Sequence, residues 1–96
     1  MVSLVARVRF DQRGSRLHAV EITRNRQFPV IEALHGALLA LGIVVHSYQA
    51  RPRATRLVER IVLQRRDGGS VEGVLSDATR AAILPIAFYD PNPPKA

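Results

Sequence analysis

The run LHAVEITRNRQFPVIEALHGALLALGIVVHSY, from Leu17 to Tyr48, decides the fold. Leu17, Ala19 and Glu21 alternate with His18, Val20 and Ile22, which is the period of a strand. Arg24 to Gln27 forms a polar link. Pro29 suits the first turn of a helix, where its missing N–H leaves no bond unmade. Val30, Ala33, Leu34, Ala37, Leu38 and Leu41 then recur at helical spacing as one apolar stripe, and Glu32 lies near the helix N-terminus, where the dipole favours an anion. Gly36 weakens that helix by about 1 kcal/mol relative to Ala, and a close backbone approach by the sheet or by a partner would explain it. Gly42 stops the helix, and Ile43-Val44-Val45-His46-Ser47 opens a new strand. Two strands joined in this way lie in one sheet with the helix on its face.

The flanks extend the pattern. Before the run, Ala6, Val8 and Phe10 alternate with Arg7 and Arg9, which reads as a half-buried strand. Asp11-Gln12-Arg13-Gly14-Ser15 has turn chemistry and links that strand to the next as a hairpin. After the run, the strand from Ile43 reaches Ala50, and Arg51-Pro52-Arg53-Ala54-Thr55-Arg56 is the expected hairpin tip, because Pro52 cannot donate to a central ladder. Leu57 to Gln64 returns, with Val58, Arg60, Val62 and Gln64 on one side and Leu57, Glu59, Ile61 and Leu63 on the other. Asp67-Gly68-Gly69 turns, and Ser70 to Leu75 is a candidate short extension. Ser76 and Asp77 suit the start of a second helix through Ala78, Ala81, Ala82 and Ile83, which Pro85 is expected to disturb. The order is β-β-α-β-β-α. It predicts an α+β, ferredoxin-like sandwich, with a four-stranded antiparallel sheet and two helices on one face. No crossover strand follows the last helix, so the leading strand is expected to fill that edge. Residues 1–88 read as a single domain and 89–96 as a Pro-rich C-terminal tail.

Composition narrows the function. A chain of 96 residues is one domain able to bury a core of its own. It has no cysteine, which excludes disulfides, thiolate catalysis and Cys-type zinc sites. No apolar run reaches membrane-spanning length, and Arg7 interrupts the N-terminus too early for a signal-peptide core. The expectation is a cytoplasmic protein without membrane contact. The formal charge is +6, carried almost wholly by Arg, with Lys95 the single Lys. Such a balance suits anionic partners, although Arg in place of Lys beside abundant Ala and Val is also what a GC-rich genome produces.

The layout and the residues at its joints resemble an ACT domain over roughly Gly14 to Ile86, and most closely the ACT domains of bacterial nitrogen-signalling uridylyltransferases. The matching pieces are Leu17 to Thr23, Leu41-Gly42-Ile43, Val45-His46-Ser47-Tyr48, and Ile61-Val62-Leu63 running into Asp67-Gly68. The resemblance implies a non-catalytic regulatory module that dimerises and takes a small effector at the dimer interface. The effector residues it implies are Asn25, Arg26, Gln27, Phe28 and Pro29 before the helix, and Val44, His46 and Ser47 on the strand after it. The sequence departs from the family where Pro29 stands in a loop that usually carries Gly, and where Val44 replaces a common polar residue. Both departures shift the expectation from amino-acid binding toward protein contacts.

No residues form a catalytic constellation. His18, His35 and His46 lack metal-ligand spacing and accompanying carboxylates. His46-Ser47 lies on a strand without an orienting acid, and the glycines form no phosphate loop. The expectation is therefore no enzyme, no metal and no cofactor. Arg51, Arg53 and Arg56 at the hairpin tip, with Arg65 and Arg66 at the far end of the next strand, are the densest basic sequence, and Arg51, Arg53 and Arg56 are the candidate partner surface. The first expectation is a homodimeric ACT-like regulatory or protein-interaction module. The alternative is a basic nucleic-acid-binding protein of the same fold. Against it, no strand carries the alternate aromatics on which RNA bases stack.

Overall fold

The computed structural model describes residues 6–12, 17–25, 30–69 and 77–89. They form β1 (Ala6–Gln12), β2 (His18–Arg24), α1 (Ile31–Leu39), β3 (Ile43–Arg53), β4 (Arg56–Arg65) and α2 (Asp77–Ala87). The strands make one antiparallel sheet in the order β1-β2-β4-β3. β2 and β3 run the same way with β4 between them, so β2-α1-β3 is a crossover around a middle strand. β1 completes the sheet by antiparallel pairing with β2, at the edge expected for the leading strand.

Alternation sorts the side chains. Val8 and Phe10 of β1, Val20 and Ile22 of β2, and Ile61 and Leu63 of β4 lie on one face with Ile43 and Val45 of β3. Val30, Leu34 and Leu38 of α1 and Ile83 and Ala87 of α2 close over them to form the core. α1 buries only part of the expected stripe. Ala33 is exposed beside the buried Leu34, and Leu41 is exposed because the helix ends at Leu39 and the chain turns away through Gly42 at φ +76°. The sheet does not crowd Gly36: a Cβ added there would meet nothing within 4 Å.

Two elements differ from expectation. β3 continues through Pro52 to Arg53, and the turn shrinks to Ala54-Thr55. A two-residue turn makes Arg53–Arg56 a hydrogen-bonded pair. The nitrogen of Pro52, one residue back, then faces the outer edge, where a missing donor breaks no ladder. α2 likewise runs through Pro85, which is exposed and in its final turn. Only one intrahelical bond is lost there, and Phe88 N–H still donates to the Leu84 carbonyl at 3.0 Å. Ser76, Pro29, the Gly14 turn, Ser70 to Leu75 and most of the C-terminal tail lie outside the described residues.

Two buried charges tie the helices to the sheet. Glu59 of β4 is fully buried, and its carboxylate accepts the Val30 N–H at the start of α1 at 3.1 Å. Arg24 of β2 is 2% exposed and donates to the Tyr89 carbonyl just past α2. α1 starts at the β3–β4 hairpin end of the sheet and α2 finishes there. An anion therefore meets the positive end of one helix and a cation the negative end of the other.

Candidate functional site on the open face of the sheet

The helices cover one face of the sheet and leave the other open. Register fixes what the open face carries. Arg7, Thr23, Val58 and Arg51 form one row across the four strands, and Arg9, Glu21, Arg60 and Gln49 form the next. Asp11, Ala19, Val62 and Ser47 form a third, past a bulge at His46 that restores register between β3 and β4. Beyond the first row, at the hairpin tip, Arg53 sits directly opposite Arg56. Charge is thus graded along the strands, from paired arginines at the tip to Asp11 at the far end.

A depression of about 460 Å³ lies on this face, lined by Glu21, Thr23, Gln49, Arg51, Arg53, Arg56, Val58 and Arg60. A second, of about 430 Å³, shares Gln49, Arg51 and Arg60 with it and continues toward Ser47 and Val62. Arg60 is held loosely by Glu21 at 3.8 Å. Arg9 pairs with Asp11 at 2.9 Å, and that hydrogen bond, with the charges of Asp11 and Glu21, raises the Arg9 pKa above its ordinary value. Arg51, Arg53 and Arg56 have no hydrogen bond or ion pair among the described residues. Like charges placed directly across two strands oppose folding. Arg53 is exposed and Arg56 half-buried.

The expected partner surface, Arg51, Arg53 and Arg56, is therefore gathered on one face. The sequence reading missed Arg60, Glu21, Thr23 and Gln49, which complete the groove. The alternation of β4 did place Arg60 on the same side as Val58 and Val62. Only the β2–β4 and β3–β4 registers bring Glu21 and Gln49 beside it.

Among the described residues, Asn25 is not brought beside Val44, His46 and Ser47 within one chain. Asn25 follows Arg24, which is level with Leu57, whereas Val45 is level with Leu63. Six residues of β4 separate the two levels, about 20 Å at the rise of a strand. Val44 is half-buried on the open-face side, His46 is exposed at the bulge, and Ser47 is exposed on the open face. Arg26, Gln27, Phe28 and Pro29 lie outside the described residues.

Phe10 and Tyr48 lie on the helix face, so no aromatic residue lines the open face among the described residues. Among the described residues, the exposed large apolar side chains are Leu39 and Leu41 at and just past the end of α1 and Leu84, Phe88 and Tyr89 at the end of α2. No described helix is long and apolar enough to cross a membrane. In comparisons with known proteins, no family model, no curated protein and no solved structure matches the chain.

Proposed function

We propose that the chain is a small non-catalytic ACT-like interaction module that pairs with itself and engages an anionic protein partner through the open face of its sheet. The observation that carries this reading is the groove at the hairpin end, where Arg51, Arg53 and Arg56 lie together without a described acidic partner. Such a surface takes negative charge from outside the chain. Self-pairing is supported by the exposed apolar ends of the two helices. It is supported also by the split effector residues, which a second chain would reunite. The ferredoxin-like topology supports the ACT-like assignment.

Charge reversal tests the reading. Arg51→Glu with Arg53→Glu lies on exposed positions and leaves the melting temperature within a few degrees. The double variant is expected to lose the proteins that the wild type retains from an extract of its source cell, while sedimentation equilibrium still gives a dimer. Equal retention by both proteins, or a monomer at high micromolar concentration, overturns the corresponding clause.

Nucleic-acid binding is the second reading. Arg7 and Arg9 of β1 lie on the same face as the groove and favour it. It predicts retention of nucleic acid that weakens steeply with salt. The compactness of the basic patch favours the first reading. The arginines without a described partner on β3 and β4 lie within about 13 Å along the strands, between the levels of Arg53 and Gln49, whereas Arg9 and Arg60 are set against Asp11 and Glu21.

A further inference from the structure

We infer that the hairpin end of the groove is a binding site for a phosphate monoester. The inference rests on the reading of the open face as a binding surface and names the chemistry it recognises. Arg53 and Arg56 face each other across the tight turn, and Arg51 follows two residues along the same face. The Cα atoms of Arg53 and Arg56 are about 5.5 Å apart, Arg51 lies about 7 Å along the strand from Arg53, and the Arg51–Arg56 diagonal is about 8–9 Å, so three long side chains on one face can converge on a single group. None has a hydrogen bond or ion pair among the described residues. The turn that sets this arrangement holds Ala54 at φ +54°, the only positive φ among the described non-glycine residues. Strained backbone persists where the surrounding structure enforces it, and it clusters at binding sites.

Three unpaired guanidiniums on one point favour a compact dianion over a single carboxylate. A phosphate monoester offers three terminal oxygens and nearly two negative charges at neutral pH, and guanidinium forks match those oxygens two at a time. A phosphodiester strand spreads single charges along its length, which suits a long basic track. Here the basic residues of the face are interrupted by Glu21 and Asp11, which pair with Arg60 and Arg9 and repel further negative charge. The groove of about 460 Å³ has room for the body of a ligand beside its phosphate. The source is either a free phosphate ester or a phosphorylated side chain of the partner, and one set of titrations separates them.

Calorimetry at low ionic strength would use four probes: O-phosphoserine, a short phosphoserine peptide, the same peptide with Asp in place of phosphoserine, and a single-stranded DNA 12-mer. The phosphoserine peptide is expected to bind at least tenfold more tightly than the Asp peptide. Its affinity should fall as pH drops from 7.5 to 5.5, because the second phosphate pKa is near 6. Arg53→Ala with Arg56→Ala should weaken it tenfold or more, and Arg53→Lys with Arg56→Lys should give an intermediate loss. O-phosphoserine as tight as the peptide assigns the site to a free ester, and a peptide preference assigns it to a phosphorylated partner. If the Asp peptide binds as well, phosphate recognition falls and the anionic-partner reading stands. Binding of DNA alone overturns both. If no probe binds, the phosphate site falls, and the capture experiment with the charge-reversed protein decides the rest.

Discussion

Tyr48 and Glu59 meet across the β3–β4 pair: the Tyr48 hydroxyl donates to Glu59 Oε1 at 2.7 Å, and that same oxygen accepts the Val30 N–H at 3.1 Å. One buried carboxylate thus joins the edge strand, the middle strand and the start of α1. Val30 makes no side-chain cap of its own, so Glu59 supplies from β4 what an N-cap residue supplies locally. Glu59→Ala should cost about 3 kcal/mol, because it strands a buried amide and a buried hydroxyl at once. Glu59→Gln keeps an acceptor and should cost about 1–2 kcal/mol. Urea denaturation with an unchanged slope is the measurement. A loss under 1 kcal/mol for Glu59→Ala would remove the capping role.

Tyr48 carries a second consequence. Burial, the hydrogen bond to Glu59 and the carboxylate's charge all hold its pKa above the ordinary tyrosine value of 10.0. In the unfolded chain the phenol ionises near 10, while the fold retains the proton. This contribution to stability is fully present below pH 10 and lost as pH rises above it. Tyr48→Phe should flatten the fall in stability between pH 10 and pH 11, as followed by circular dichroism in urea. The same slope in both proteins would exclude it.

His18 acts at the other end of the pH scale. It is 8% exposed, and its Nε2 is buried without a hydrogen-bond partner. Burial first, and then the positive charge of Arg80, lowers its pKa below 6.5, with Asp11 opposing. Arg80 itself sits 4.5 Å above the Phe10 ring on the adjacent strand. The folded chain therefore resists a proton that the unfolded chain accepts. Stability is full above about pH 6.5 and falls as pH drops below it. His18→Leu should reduce the stability difference between pH 7 and pH 5.5, and an unaltered difference would refute the assignment.

Two small residues are exchanged relative to their backbones, and swapping each should stabilise the chain. Gly36 is exposed in mid-helix with open space where a Cβ would stand, so Gly36→Ala should gain about 0.5–1 kcal/mol. Ala54 holds a positive φ at the first turn position, where Gly is favoured, so Ala54→Gly should gain up to about 1 kcal/mol. Thermal unfolding checks both. If Gly36→Ala stabilises the monomer yet weakens the dimer, the helix face carrying it lies in the self-association surface.

The layers of the fold were legible in the sequence because alternation and helical spacing are local. The leading hairpin, the crossover helix and the role of Leu34, Leu38 and Ile61 all followed from them. The extent of β3 was not legible: Pro52 stops a central strand but not an edge strand, and edge position is decided by pairing with β4. The buried charges were only half visible. Glu59 fell on the same side of its strand as Leu57, Ile61 and Leu63, whereas Arg24 read as the start of a polar link and instead ends β2, buried. Their partners, Val30 and Tyr89, are 29 and 65 residues away, so no local pattern could assign them. The groove was visible in part for the same reason: Arg51, Arg53 and Arg56 are neighbours in sequence, whereas Glu21 joins Arg60 only through strand register.

The grading of charge along the open face gives the molecule a direction. Arg51, Arg53 and Arg56 stand without a described acidic partner at the hairpin end, whereas farther along Arg60, Arg9 and Arg65 are set against Glu21, Asp11 and Asp67, so the uncompensated positive charge is displaced toward the hairpin. In dilute salt a negatively charged body approaching from several ångströms away feels a torque as well as an attraction. Encounters would then be orientated before contact, with the β3–β4 hairpin leading, and ionic strength would set the association rate more strongly than the dissociation rate.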